Sequence, residues 1–200
     1  MKRLLFVIFF AVNIFFSLSA QNEQEDFNRN QWKIGVGLAN TNDIVSAISD
    51  VLLVGFSGGI ATTENKTFSG SYYLGYKYAF SKRLSLGGTF VYNKNSFDLM
   101  AEGDKVGHYK NNYYTIAPEL DFTYLNMSVL SLYGSVGAGI TLNNQTYIKD
   151  GTNNKEKASA AHFNFQFSPI GLKIGHNAGG FLEAGFGYKG IINLGFFANL

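Results

Sequence analysis

Residues 67–80 read TFSGSYYLGYKYAF. The even positions carry Phe68, Tyr72, Leu74, Tyr76, Tyr78 and Phe80, and the odd ones Thr67, Ser69, Ser71, Tyr73, Gly75, Lys77 and Ala79. A period of two is that of a β-strand whose two faces meet different surroundings. The weaker face decides the fold. A face bathed in water would carry several charges, and this one has a single lysine among small and hydroxylated residues. Such a face suits a narrow enclosed interior, with the apolar face against hydrocarbon, the inverse of a soluble sandwich.

The same alternation recurs in both directions along the chain. It is present in Gln31–Asn40, Leu84–Lys94, Lys110–Leu125, Val129–Leu142, Gly179–Tyr188 and Ile191–Leu200, and in Ser159–Ile174 with a slip of phase near Pro169. Eight strands, an even number, predict an all-β, eight-stranded antiparallel transmembrane β-barrel. The charges within the clearly phased parts of these strands, Lys33, Lys77, Glu119, Asp121 and Glu183, all lie on the small-residue parity. A charge on the lipid face costs about 2–4 kcal/mol at the midplane, so these five are assigned to a lumen network. Aromatics near the strand ends predict lipid-facing girdles: Trp32, Phe68, Tyr76, Tyr78, Phe80, Tyr92, Tyr114, Phe122, Tyr124, Phe163, Tyr188 and Phe196.

The connections set the topology. Residues 81–83, 126–128 and 175–178 are short turns, whereas 41–66, 95–109 and 143–158 are long segments expected as loops. Outer-membrane barrels turn tightly on the periplasmic side and loop outward on the other, which puts both termini in the periplasm. Lys189-Gly190 is a misfit, a tight turn where an outer loop belongs. Within the first long segment, DIVSAISDVLLVGF (residues 43–56) spaces Ile44, Ala47, Ile48, Val51 and Leu52 helically after Thr41, Asn42 and Asp43. A short helix over the barrel mouth or against lipid is expected there, with a strand through residues 51–56 as the other option.

Composition agrees. Charged residues make up 15% of the 200 and aromatics 16%, with 23 glycines and no cysteine. Disordered chains are poor in aromatics, so disorder is excluded, and a disulfide framework or thiolate metal site is excluded with it. The chain opens on Met1-Lys2-Arg3, an apolar run from Leu4 to Phe16 and then Ser17-Leu18-Ser19-Ala20. That order reads as a secretory signal peptide over residues 1–20, cleaved near Ala20, followed by a polar lead-in over 21–30 and the barrel over 31–200. Setting aside Lys2 and Arg3 leaves 14 basic residues against 14 acidic, a balance that argues against nucleic acid as a partner.

Two segments resemble a known family. YYLGYKYAFSKRLSLG (residues 72–87) is a strand, tight turn and strand, and EAGFGYKGIINLGFFANL (residues 183–200) is a closing hairpin. Both are similar to the small porin-like outer-membrane β-barrel domain proteins of Gram-negative bacteria, which include OmpX-like and OmpW-like barrels. The resemblance implies outer-membrane lipid as surroundings, insertion by the barrel-assembly machinery, and a monomer without cofactors. Leu200 stands where the family usually ends on an aromatic, although Ile192, Leu194, Phe196 and Ala198 keep the alternate apolar positions.

Eight strands enclose a lumen that side chains can fill, so a polar plug and a structural or surface-interaction role are expected. The alternatives are a narrow channel or small-ligand transporter, and a lipid-modifying acyltransferase or deacylase. Catalysis would need a nucleophile beside a base. His108, His162 and His176 are scattered, no spacing makes a triad, and no metal or phosphate-loop motif appears, so the chain is expected not to be an enzyme.

Overall fold

The computed structural model describes residues 29–151 and 155–200; the predicted leader lies outside the described residues. In chain order the elements are β1 (Asn30–Leu38), helix α1 (Thr41–Phe56), β2 (Ala61–Ala79), β3 (Leu84–Ala101), β4 (Asp104–Asn126), β5 (Leu130–Lys149), β6 (Lys155–Gly175), β7 (Ala178–Gly187) and β8 (Ile192–Asn199). Each strand pairs antiparallel with the next, and β1 closes on β8 with Lys33 opposite Phe197. Closure leaves no row of unpaired amides at a sheet edge. The predicted fold class is the one observed.

Alternation became inside and outside. In β1, Trp32, Ile34, Val36 and Leu38 are exposed while Lys33, Gly35 and Gly37 are buried. The apolar parity continues outward around the barrel through Leu74, Phe90, Ile116, Ile140, Phe163 and Leu194. Aromatic pairs mark both margins of this belt: Trp32–Tyr76, Tyr78–Phe80 and Phe122–Tyr124 at the short-turn end, Phe90–Tyr114 and Tyr92–Tyr114 at the other. Among the described residues, no helix is long and apolar enough to cross a membrane.

Two expected loops are corrected. Residues 95–109 continue β3 and β4 to a two-residue turn, and most of 143–158 continues β5 and β6. The turn residues Glu102 and Gly103 both have positive φ, 54° and 90°, as a tight hairpin with right-handed strand twist requires. Polarity on both faces erased the alternation here, but the ladder is made of backbone and persists: Asn95 pairs Asn111, and Asp98 pairs His108. The wall is consequently uneven. β2 to β6 run 18 to 23 residues, while β1, β7 and β8 run 9, 10 and 8.

Helix α1 bridges the low side of the wall, and no strand forms through residues 51–56. Its start is capped locally, with the Asp43 amide donating to Asn40 Oδ1 at 3.0 Å. The polar residues Asn42, Asp43 and Asp50 turn inward, and Lys66 of β2 pairs with Asp50. Ile48, Val51, Leu52 and Phe56 face away from the barrel, Phe56 being 90% exposed. The phase slip near Pro169 is a bulge: pairing steps from Ser168 to Gly171 against β5 and from Phe167 to Ile170 against β7.

Candidate functional site

Lys33 comes from β1, Lys77 from β2, Glu119 and Asp121 from β4, and Glu183 from β7. All five are buried in the lumen. They are joined by a residue outside the predicted set, Lys189, from the turn between β7 and β8. The six form a closed ring of alternating sign. Lys33 Nζ lies 3.1 Å from Asp121 Oδ2, and Asp121 Oδ1 lies 2.6 Å from Lys77 Nζ. Lys77 reaches Glu119 Oε2 at 2.8 Å, and Glu119 Oε1 reaches Lys189 Nζ at 3.3 Å. Lys189 then meets Glu183 Oε2 at 3.0 Å, and Glu183 Oε1 returns to Lys33 at 3.2 Å. Three ammoniums face three carboxylates, each ion touching two of opposite sign. That geometry is what a cluster shut away from water needs, because an unpaired buried charge loses its hydration without recompense.

Neutral donors complete it. Tyr133 Oη donates to Glu183 Oε1 at 2.6 Å and Tyr188 Oη to Glu119 Oε1 at 2.7 Å, while Lys33 donates to Tyr133 Oη at 3.2 Å. The glycines of the inner parity have a volume reason. Lys33 stands opposite Gly75, Lys77 opposite Gly87, Glu119 between Gly87 and Gly137, and Glu183 opposite Gly171. Asp121 stands between Ser85 and Ser135. Each long charged chain lies over space that its cross-strand neighbour leaves empty. A Cβ on Gly137 would collide with Tyr188 Oη, and one on Gly171 with the Tyr133 ring.

The misfit at Lys189-Gly190 is resolved by the same ring. The turn between β7 and β8 folds inward, so Tyr188 is fully buried and the expectation that it faces lipid is corrected. The alternation of β7 would have put it outside, but β7 ends at Gly187, where φ is 149°. The inward path is held by the Lys189 amide donating to Gln166 Oε1 at 2.8 Å, the Ile191 amide to the Leu38 carbonyl at 2.8 Å and Ser71 Oγ to the Tyr188 carbonyl at 3.1 Å. Gly37 makes room, since a side chain there would strike the Lys189 carbonyl. The eleven other predicted girdle residues are exposed or half-buried, Phe163 and Phe196 at 70% and 71%.

Above the ring the lumen is lined mostly by neutral polar groups. Thr115 and Thr141 share a 2.7 Å hydrogen bond, and Asn164 donates to Thr141 at 3.1 Å. The start of α1 closes this end: Asn42 donates to Asn93 at 3.1 Å, and Thr41 to Asn164 at 2.9 Å. Asp43 is buried here, and burial pushes its carboxyl up to about 6 despite the hydrogen bond that Asn40 Nδ2 donates to it at 2.6 Å.

The histidines stay apart. His108 meets Asp98 at 2.6 Å on the outer hairpin, His162 meets Asn42 at 3.2 Å, and His176 meets the Ser128 carbonyl at 3.0 Å in a short turn. Among the described residues, none has a serine, threonine or tyrosine hydroxyl as hydrogen-bond partner. Lys105, Asn65 and His108 together hold the Asp98 carboxyl well below its ordinary range, a stapling of three outer strand segments.

No family model matches this chain, and none of the curated proteins does. Among solved structures it is similar to Ail, the attachment invasion locus protein of Yersinia pestis. The identity is 16% and the TM-score 0.42, over 84% of this chain and 94% of that one. A second structure, Ail in complex with the heparin analogue sucrose octasulfate, gives 15% and 0.40 over the same shares.

Proposed function

We propose that this chain is a non-enzymatic integral outer-membrane barrel, exported by its leader, with both termini in the periplasm and a lumen plugged by the ionic ring. The observation that carries the reading is the pairing of an apolar exterior with an ionic interior. A barrel with this exterior would be insoluble in water, and lipid is the solvent that accepts it. The ring joins β1, β2, β4 and β7 across the lumen, and tyrosines from β5 and the inward turn brace it. An ion would have to break these contacts to pass, which argues against the channel reading. The scattered histidines argue against acyl transfer. Closure of the sheet supports a monomer.

The work of such a protein falls to what stands outside the membrane. The tall hairpins of β3–β4 and β5–β6 carry polar side chains beyond the apolar belt, and α1 presents an apolar face, together a surface for interaction with a partner. Because the chain has no cysteine, single cysteines test this arrangement cleanly. On intact cells, Lys105→Cys is expected to react with a membrane-impermeant maleimide and Arg83→Cys to stay unlabelled until the outer membrane is opened. Labelling of Arg83→Cys alone on intact cells would reverse the topology. A folded chain recovered in the soluble fraction, with no gel shift on boiling, would remove the membrane assignment altogether.

A further inference from the structure

The ring is neutral, yet the lumen holds a fourth lysine. Lys173 of β6 donates from Nζ to Gln31 Oε1 at 2.7 Å and lies 4.4 Å from the centre of the Tyr133 ring and 5.9 Å from that of Phe197. Each ring carboxylate is already shared between two ammoniums, and Lys173 makes no ion pair among the described residues. Lys173 is half-buried, and an amide oxygen and two aromatic faces leave its ammonium without an anionic partner among the described residues. Among the described residues, the ring and Lys173 together bring four lysines to three carboxylates.

Lys173 borders a cavity of about 880 Å³ at the short-turn end. Arg83 and His176 also line it, from two different turns, with Ser85, Asn126 and Asn199 supplying hydroxyl and amide groups and Phe197 an apolar wall. Among the described residues, no aspartate or glutamate lines it, and Arg83 makes no ion pair. Lys173, Arg83 and the neutral donors around them converge on one chamber and favour an anionic occupant.

We propose that this chamber binds a small organic anion through a carboxylate or phosphate group, with Lys173 and Arg83 as its charge partners. The anion neutralises Lys173 and takes charge-assisted hydrogen bonds from the guanidinium, whose planar fork matches either group. That the chamber opens to the periplasm rests on the proposed topology. Binding itself does not, and can be measured on the isolated barrel.

The test is calorimetric titration of the folded chain in lipid nanodiscs with citrate, inorganic phosphate and, as a neutral control, glycerol. Saturable binding of citrate, phosphate or both is expected, with none of glycerol; the two anions tell a carboxylate ligand from a phosphate one. Arg83→Gln and Lys173→Gln are each expected to weaken binding by about tenfold or more, the loss of one charge-assisted hydrogen bond. Lys155→Gln on the outer hairpin removes the same charge and is expected to leave affinity unchanged. Arg83 lies in a turn outside the ring, so its variant decides the matter even if Lys173→Gln fails to fold. Absence of saturable binding by either anion would overturn the proposal, as would an equal loss in Lys155→Gln. A barrel that bound anions but showed Arg83→Cys labelled on intact cells would keep the site and lose only the topology.

Discussion

The two ends of the lumen are lined by different chemistry. At the middle and short-turn side, six full charges face one another in a ring, each held twice. Toward the helix end, asparagines and threonines hold the start of α1 through neutral hydrogen bonds near 3 Å, and one ion pair, Lys66 with Asp50, stands farther along the helix. Both fill the bore, but they fail differently. A neutral hydrogen bond lost to a small side chain costs little, because water or a neighbour takes its place. A ring ion deleted strands two partners of like sign in a place water cannot reach. The ring therefore fixes the barrel, and the helix plug is the adjustable part.

The largest effect is expected in the ring. Glu183→Gln leaves Lys33 and Lys189 each with one carboxylate, and removing one partner of a buried ionic cluster costs about 3–5 kcal/mol. Urea unfolding of the barrel in lipid vesicles measures this. A loss below that of a helix-end variant would break the contrast. Next comes Gly171→Val, which touches no charge but drives into the Tyr133 ring. Overpacking predicts about 1–3 kcal/mol in the same assay, with Tyr133 displaced from Glu183. At the helix end, Asn42→Ala removes hydrogen bonds to Asn93 and His162 and is expected to cost about 1 kcal/mol.

The smallest effect is a pH response confined to α1. Burial raises Asp43 from its ordinary 3.8 to about 6, so the docked helix favours the protonated carboxyl. Docking is firmest below about pH 4 and loosens as pH rises through about 6, the direction set by a folded value above the unfolded one. The protection factors of the α1 amides, corrected for the intrinsic base-catalysed rise of exchange with pH, should fall over that interval, and Asp43→Asn should flatten the profile. An equal fall in the protection factors of β4 would place the titration elsewhere.

Much of this architecture was legible in the sequence, and the exceptions share physical causes. Strands inside the belt declared themselves because hydrocarbon and lumen demand opposite residues on successive positions, as Trp32-Lys33-Ile34 shows. Outer extensions such as Asn111-Asn112 did not, because water on both faces imposes no alternation while the backbone ladder continues. Lys33, Lys77, Glu119, Asp121 and Glu183 were found by parity. Lys189 was missed because parity has no meaning in a turn. A signal existed nevertheless. Two cations against three carboxylates could not balance, and a tight Lys-Gly turn stood where an outer loop belonged. Tyr188 was misplaced for the same reason, by extending the alternation of β7 past the residue where the strand stops. Lys173 was hidden by the bulge at Pro169, which shifts the phase of everything after it in β6.

The central claim, a bore closed by paired charges, is tested most directly by single-channel recording in planar bilayers across wild type and the double variant Lys33→Ala with Glu183→Ala. The wild-type barrel is expected to give no conductance steps above baseline, and the variant, which removes one of each sign and opens a gap in the ring, to give discrete ones. Steady openings in the wild type, unchanged by the double substitution, would contradict the account.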